Sequence, residues 1–145
     1  MNFLSQIVNS VHYAHSKGVL HRDIKSANIL VKGDYQLKLA DFGYADFVSR
    51  CSGASRYNVG SPLYMSPESL TSSQYSFKSD VWSIGIVFYE MLIGSQSYLL
   101  SHYSDILNFL HSGQIFQTLP HVSQLAKQIL ARMLTPDPNF RADTS

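Results

Sequence analysis

The sequence predicts a mainly α-helical domain with one small two-stranded hairpin beside a polar loop. Three observations carry that reading. Apolar residues recur at steps of three and four in two separate stretches, 3–14 and 122–134. The run 81–93 is apolar nearly all round apart from Glu90, the pattern of a helix buried on every side. Two short β-type runs lie either side of a turn at 32–36.

In the first stretch Phe3, Leu4, Ile7, Val8, Val11 and Ala14 form one stripe, and Gly18 is the stop signal after it. Residues 19–28 interleave polar and charged side chains with single apolar ones and predict a structured loop. Ile29-Leu30-Val31 and Leu37-Lys38-Leu39-Ala40 predict the hairpin strands. Residues 41–68 show no sustained period, and their Gly, Ser, Pro and Asn content predicts a long loop. A loop of that length inside a domain is usually functional. The helix over 81–93 is expected to put Trp82 and Met91 in the core, and a further short helix is expected over 105–111. Thr135-Pro136-Asp137-Pro138 ends the last helix, because proline cannot continue its hydrogen bonding.

Composition narrows the class. With 145 residues, 45% of them hydrophobic, a chain disordered throughout is excluded. Charged residues are 14%, against roughly 25% in soluble domains, which implies buried helices or a missing partner layer. A net charge of +1 gives no push toward nucleic acid or anionic membrane. The run 81–93 is shorter than the roughly 20 apolar residues a membrane span needs. The single Cys51 excludes an intramolecular disulfide and a multi-cysteine zinc site, and fits a reducing, cytoplasmic setting. The N-terminus carries no secretory signal pattern. His12, His15, His102, His111 and His121 read as surface or packing histidines.

Two strings carry chemistry. His21-Arg22-Asp23-Ile24-Lys25-Ser26-Ala27-Asn28 sets a carboxylate, an ammonium and a carboxamide close together. Asp41-Phe42-Gly43 follows the second expected strand. Mg²⁺ takes oxygen ligands, commonly one or two carboxylates plus substrate phosphates. Asn28 and Asp41 could supply such oxygens from adjacent loops. Asp23 could orient a hydroxyl or accept its proton, and Lys25 could neutralise charge on a transferred phosphoryl group.

In this order, followed by Ser66-Pro67-Glu68, the strings resemble the signature set of eukaryotic protein kinases. Ser79-Asp80-Val81-Trp82-Ser83-Ile84-Gly85 looks like the start of that family's buried helix F, and Arg141 like its late arginine. The resemblance covers almost the whole chain and implies the C-terminal, catalytic lobe over 1–145, from the middle of helix E to just after helix H. It implies ATP and Mg²⁺ as cofactors and a protein substrate, with no nucleic acid and no membrane segment. Asp23 and Lys25 would be catalytic. Lys25, Asn28, Leu30 and Asp41 would face the nucleotide, with Asn28 and Asp41 on the metal. Lys25 and Gly60-Ser61 favour the Ser/Thr type. Arg22 would receive a phosphate from the activation loop, with Tyr57 near the usual site and Ser49, Ser52 and Ser55 as other hydroxyls. His21, Phe42, Glu68, Asp80 and Arg141 would be structural, with Glu68 and Arg141 forming a buried ion pair.

No G-x-G-x-x-G string occurs, and no strand lysine with a helix glutamate can be placed. The resemblance therefore implies a chain without the N-terminal lobe, inactive alone, with an apolar face for a partner to cover. The alternative is a non-catalytic kinase-like interaction module. Intact Asp23, Asn28 and Asp41 favour the enzyme.

Overall fold

Helix α1 (Phe3–Ser16) buries Ile7, Val11 and Ala14, the inner edge of its apolar stripe. The computed structural model describes residues 3–51, 59–94, 108 and 119–145. Gly18, at φ +71°, turns the chain out of the helix. Strand β1 (Val19–Leu20) follows at once and pairs antiparallel with β4 (Asp46–Phe47). Strands β2 (Ile29–Lys32) and β3 (Gln36–Leu39) form the second antiparallel pair, in register from Ile29↔Leu39 to Lys32↔Gln36. One side chain ties this hairpin to α1. The Gln6 amide donates to the Tyr35 carbonyl at 3.2 Å and accepts from the Leu37 N–H at 2.9 Å.

Helix α2 (Pro67–Ser72) opens with proline, whose missing N–H has no helical partner to lose there. Helix α3 (Phe77–Ile93) is the centre of the fold. Its start is set by a reciprocal cap. Ser76 Oγ accepts from the Lys78 N–H, and Ser79 Oγ accepts from the Ser76 N–H. Helix α4 (Gln124–Met133) is capped by Ser123 and lies against α3. The approach is close at Gly85, where an added Cβ would sit 2.7 Å from Leu134 Cδ2. Three buried groups surround α3. Trp82, Ile86 and Tyr89 pack with Leu119, Leu130 and Leu134. Val81, Ile84 and Val87 pack with Ile7, Val11, Ile24 and Met133. Leu20, Met65 and Tyr75 form the third, next to β1.

Several expectations are corrected. Residues 19–28 are not all loop, because Val19 and Leu20 form β1. Residues 41–68 hold β4, 3-10 turns at Val48–Arg50 and Pro62–Tyr64, and the start of α2. Two-residue strands and single turns are too short to show a period. Helix α3 starts four residues before the apolar run, at its serine cap. Met91 is not core: it is 41% exposed, while Leu92 and Ile93 of the same turn pack against the Trp82 cluster, so Met91 lies on the turn's outer face. Of the helix expected over 105–111 only Asn108 is among the described residues, where it is helical and exposed. Among the described residues no helix is long and apolar enough to cross a membrane.

Candidate active site

The open end of the β2–β3 hairpin sets the geometry. The Ala40 N–H donates to the Asn28 carbonyl at 2.8 Å, which extends the ladder one step beyond Ile29↔Leu39. Asn28 and Asp41 therefore leave neighbouring strands at the same edge. Asp41 sits at φ +60°, a left-handed conformation that aspartate tolerates better than most residues, and its Oδ1 accepts from the Gly43 N–H at 3.1 Å. It is exposed.

Asp23 lies at the centre and is 4% exposed. Lys25 Nζ is 2.8 Å from its Oδ2, and Ser61 Oγ donates to its Oδ1 at 3.0 Å. Lys25 Nζ also donates to Ser61 Oγ at 2.9 Å. Asn28 Nδ2 donates to the Asp23 carbonyl at 2.9 Å and to Asp23 Oδ2 at 3.2 Å. Burial pushes the Asp23 pKa up, but the bonds from Lys25, Ser61 and Asn28 outweigh it and hold the carboxyl below its ordinary value. Gly60 makes the approach of Ser61 possible. It stands at φ +105°, and a Cβ there would lie 2.4 Å from the Arg22 carbonyl oxygen.

The loop is held from beneath. Asp80 in the first turn of α3 accepts from the His21 N–H at 2.9 Å and the Arg22 N–H at 3.0 Å. His21 is fully buried, and its Nε2 lies 3.1 Å from the Ala40 carbonyl. A carbonyl only accepts, so the ring carries its proton on Nε2. The His21 and Phe42 rings lie 4.6 Å apart, with Phe42 48% exposed on its other side. Leu30 is 54% exposed on the hairpin. Arg22 Nε donates to the Tyr44 carbonyl, and Nη2 is 3.6 Å from Asp46 Oδ2. Arg22 thus already faces an anion, Asp46. Tyr57, Ser52 and Ser55 lie outside the described residues, as do His102 and His111.

Glu68 and Arg141 meet in a two-pronged pair, Nη1–Oε1 at 2.7 Å and Nη2–Oε2 at 3.0 Å. Nε donates to the Thr135 carbonyl, Nη1 also to Lys78 and Nη2 also to Pro136. Every N–H of the guanidinium therefore has an acceptor. The group also stacks over Trp82, 5.0 Å from the ring centroid. Burial raises the Glu68 pKa, but Arg141 overcomes this and holds it below the ordinary value.

The donor set suits a hard cation. Both Asn28 side-chain bonds use Nδ2, so Oδ1 is left over, and Asp41 Oδ2 accepts nothing among the described residues. Among the described residues no cluster of three or more His, Cys, Asp or Glu could hold a metal by itself. An amide oxygen with one carboxylate is the set that shares a cation with substrate phosphates.

Sequence reading missed His15. It is nearly buried, and its Nε2 lies 2.9 Å from Asp80 Oδ2. The signal was present: His15 follows Ile7 and Val11 at steps of four, on the buried edge of α1.

A paired, buried carboxylate thus lies beside Asn28 Oδ1, and Asp41 Oδ2 accepts nothing among the described residues. The chain belongs to the protein kinase domain family, whose family model matches residues 1–145. It is 37% identical over 139 residues to the serine/threonine-protein kinase atg1 of Dictyostelium discoideum, covering 93% of this chain and 20% of that protein. It is 34% identical over 143 residues to the serine/threonine-protein kinase ULK3 of Xenopus laevis, covering 96% and 30%. It is 34% identical over 139 residues to the serine/threonine-protein kinase Nek6 of Oryza sativa subsp. japonica, covering 96% and 26%. The chain thus spans less than a third of the length of these relatives.

Proposed function

We propose that these residues are the C-terminal lobe of a Ser/Thr protein kinase, over 1–145, and carry the groups that move the γ-phosphoryl of ATP to a protein hydroxyl. The observation that carries this reading is the joining of Asp23, Lys25 and Ser61 in one hydrogen-bonded knot beside Asn28.

Each side chain has a role its geometry suits. Asp23 is ionised at neutral pH and only accepts, so it orients the incoming hydroxyl toward phosphorus. Its lowered pKa makes it a weak base, so it takes the proton late, as the new P–O bond forms. Lys25 has three N–H donors and spends two on Asp23 and Ser61, which leaves one for a phosphate oxygen. Asn28 Oδ1 and the Asp41 carboxylate would hold Mg²⁺, which supplies charge neutralisation on the nucleotide phosphates. Leu30 and Phe42 each present exposed apolar surface, suited to an adenine ring and to a covering lobe or partner. The sequence holds no glycine-rich phosphate loop, so the polypeptide of these 145 residues alone is expected to bind ATP weakly and transfer nothing.

The test is a chimera in which these residues replace the matched segment of the Dictyostelium relative. Phosphorylation of a mixed Ser/Thr peptide library is expected, at a rate cut at least ~100-fold by Asp23→Asn with Mg·ATP affinity kept. A folded, ATP-binding chimera that transfers nothing would sink this reading and favour a non-catalytic interaction module.

A further inference from the structure

Arg22 stands directly before Asp23, and its side chain is 13% exposed. A guanidinium at that depth needs acceptors for its N–H groups and a counter-charge. One stretch of chain supplies both. Nε donates to the Tyr44 carbonyl, Nη1 donates to Cys51 Sγ at 3.9 Å, and Nη2 lies 3.6 Å from Asp46 Oδ2. The cation also lies over Tyr75, 5.7 Å from the ring centroid. Among the described residues Asp46 is the only carboxylate paired with this side chain.

Asp46 belongs to β4 and stands opposite Leu20 of β1, while the Val48 N–H donates to the Gly18 carbonyl at 2.8 Å just beyond the pair. Two strands of two residues each are too short to hold together by backbone bonds alone. The ion pair adds a side-chain tie across the same junction, because Arg22 follows Leu20 by two positions. The other oxygen of Asp46 is turned elsewhere. Oδ1 accepts from the Phe47 N–H at 2.8 Å and lies 3.8 Å from Arg50 Nη1. Arg50 is 72% exposed at its side chain, so water and salt screen that contact, and Oδ2 is left to Arg22. A phosphate brought to Arg22 would meet the Asp46 carboxylate, and like charges repel. A carboxylate is present in every copy of the chain, whereas a phosphate arrives only by modification.

We infer that Asp46 is the built-in counter-ion of Arg22. It latches residues 44–51 onto β1 beside the loop that carries Asp23, so that neither this latch nor phosphoryl transfer needs a phosphate on the chain. Asp46 is a positioning residue: it acts through Arg22 and touches no reacting atom. The statement about transfer rests on the proposed function, and the latch is read without it.

The latch is tested by amide hydrogen exchange with NMR on the full 145-residue chain, phosphatase-treated and shown by mass to carry no phosphate. The Val48 amide is expected to be protected in that state. Asp46→Asn keeps the shape and removes the charge, and is expected to speed Val48 exchange about fivefold while Ile84 and Val87 in α3 keep their rates. An unprotected Val48 in the parent, or an unchanged rate in Asp46→Asn, would overturn the inference. Where the variant loosens α3 as well, the parent decides between about 0.05 M and about 0.5 M NaCl: Val48 alone should quicken as the pair is screened, and a rate indifferent to salt counts against the latch. Independence from phosphate is tested on the chimera. Its phosphatase-treated form is expected to transfer within about twofold of the untreated form, and Asp46→Asn to lose about tenfold in kcat with KM for Mg·ATP kept. Transfer abolished by the phosphatase, or an unchanged kcat in Asp46→Asn, would overturn the inference. A chimera that transfers in neither form ends the functional reading, and the exchange rates still decide the latch.

Discussion

Removing the Arg141 guanidinium should cost more than neutralising its partner. In Glu68→Gln the cation stays buried but keeps its three carbonyl acceptors, at Thr135, Lys78 and Pro136. In Arg141→Met those three carbonyls and the Glu68 carboxylate all lose donors at once, and the stacking over Trp82 is lost as well. Breaking a buried pair from one side costs about 3–5 kcal/mol. Glu68 is 15% exposed at its side chain and Arg141 0%, so water can relieve the glutamate side only. Glu68→Gln therefore belongs near about 3 kcal/mol and Arg141→Met near about 5 kcal/mol. For a chain of this size, 4 kcal/mol is roughly 8–16 °C in Tm. Urea unfolding followed by circular dichroism, with the double variant completing the cycle, measures both costs and their coupling. Arg141→Met within about 1 kcal/mol of the parent, the worth of an exposed pair, would refute the argument.

Three further outcomes follow from the same contacts. Asp23 and Glu68 both titrate below their ordinary values of 3.8 and 4.5, so each stabilises the fold above those values. That stability should disappear as pH falls through the lower folded-state values, and urea midpoints from pH 7 to pH 3 should fall less steeply in Glu68→Gln. Gly60→Ala sets a Cβ against the Arg22 carbonyl at a positive φ, and should cost about 1–3 kcal/mol and raise the Asp23 pKa as Ser61 is pushed away. A carboxyl-carbon NMR titration of Asp23 reads that shift, and an unmoved titration would count against it. Gly85→Ala overpacks the α3–α4 contact by about 1–3 kcal/mol, partly offset by the better helix propensity of alanine, roughly 1 kcal/mol. Leu134→Ala should relieve that clash, so the double variant should be more stable than the two single costs added together.

What could be read in advance depended on length and period. Helix α1, the hairpin and α4 each fill at least two repeats of their own pattern, and the stripe, the alternation and the turn all show in the residues. The order of His21, Asp23, Asn28 and Asp41 was legible as a family pattern because it is written in residue types at fixed spacings, and the family match over 1–145 agrees with it. The β1–β4 pair was not, since Val19–Leu20 and Asp46–Phe47 are two residues each and are joined only in space. Nor was the bond from His15 to Asp80, 65 positions apart. A histidine on an apolar edge looks like packing until a carboxylate arrives from another helix.

Helix α3 explains why these distant pieces meet. Its first two turns carry Lys78, Ser79, Asp80 and Ser83, which are polar side chains in the most buried helix of the fold. Each is discharged onto a different segment. Asp80 holds the His21 and Arg22 backbone, Ser83 Oγ donates to the Tyr64 carbonyl at 2.7 Å, and Lys78 Nζ donates to the Arg141 carbonyl at 2.7 Å. Ser79 Oγ reaches Glu68 at 3.4 Å. At its far end Glu90 accepts from Ser26 and from Tyr64. An unpaired polar group at such depth costs about 1–3 kcal/mol, so every loop that leaves its α3 partner is penalised. The loops are consequently aligned on one rigid rod, while Asp41 stays exposed at the hairpin edge. Hydrogen bonds to α3 are concentrated around the loop that carries Asp23, and the hairpin edge that carries Asp41 is left open, the division of labour that the proposed function requires.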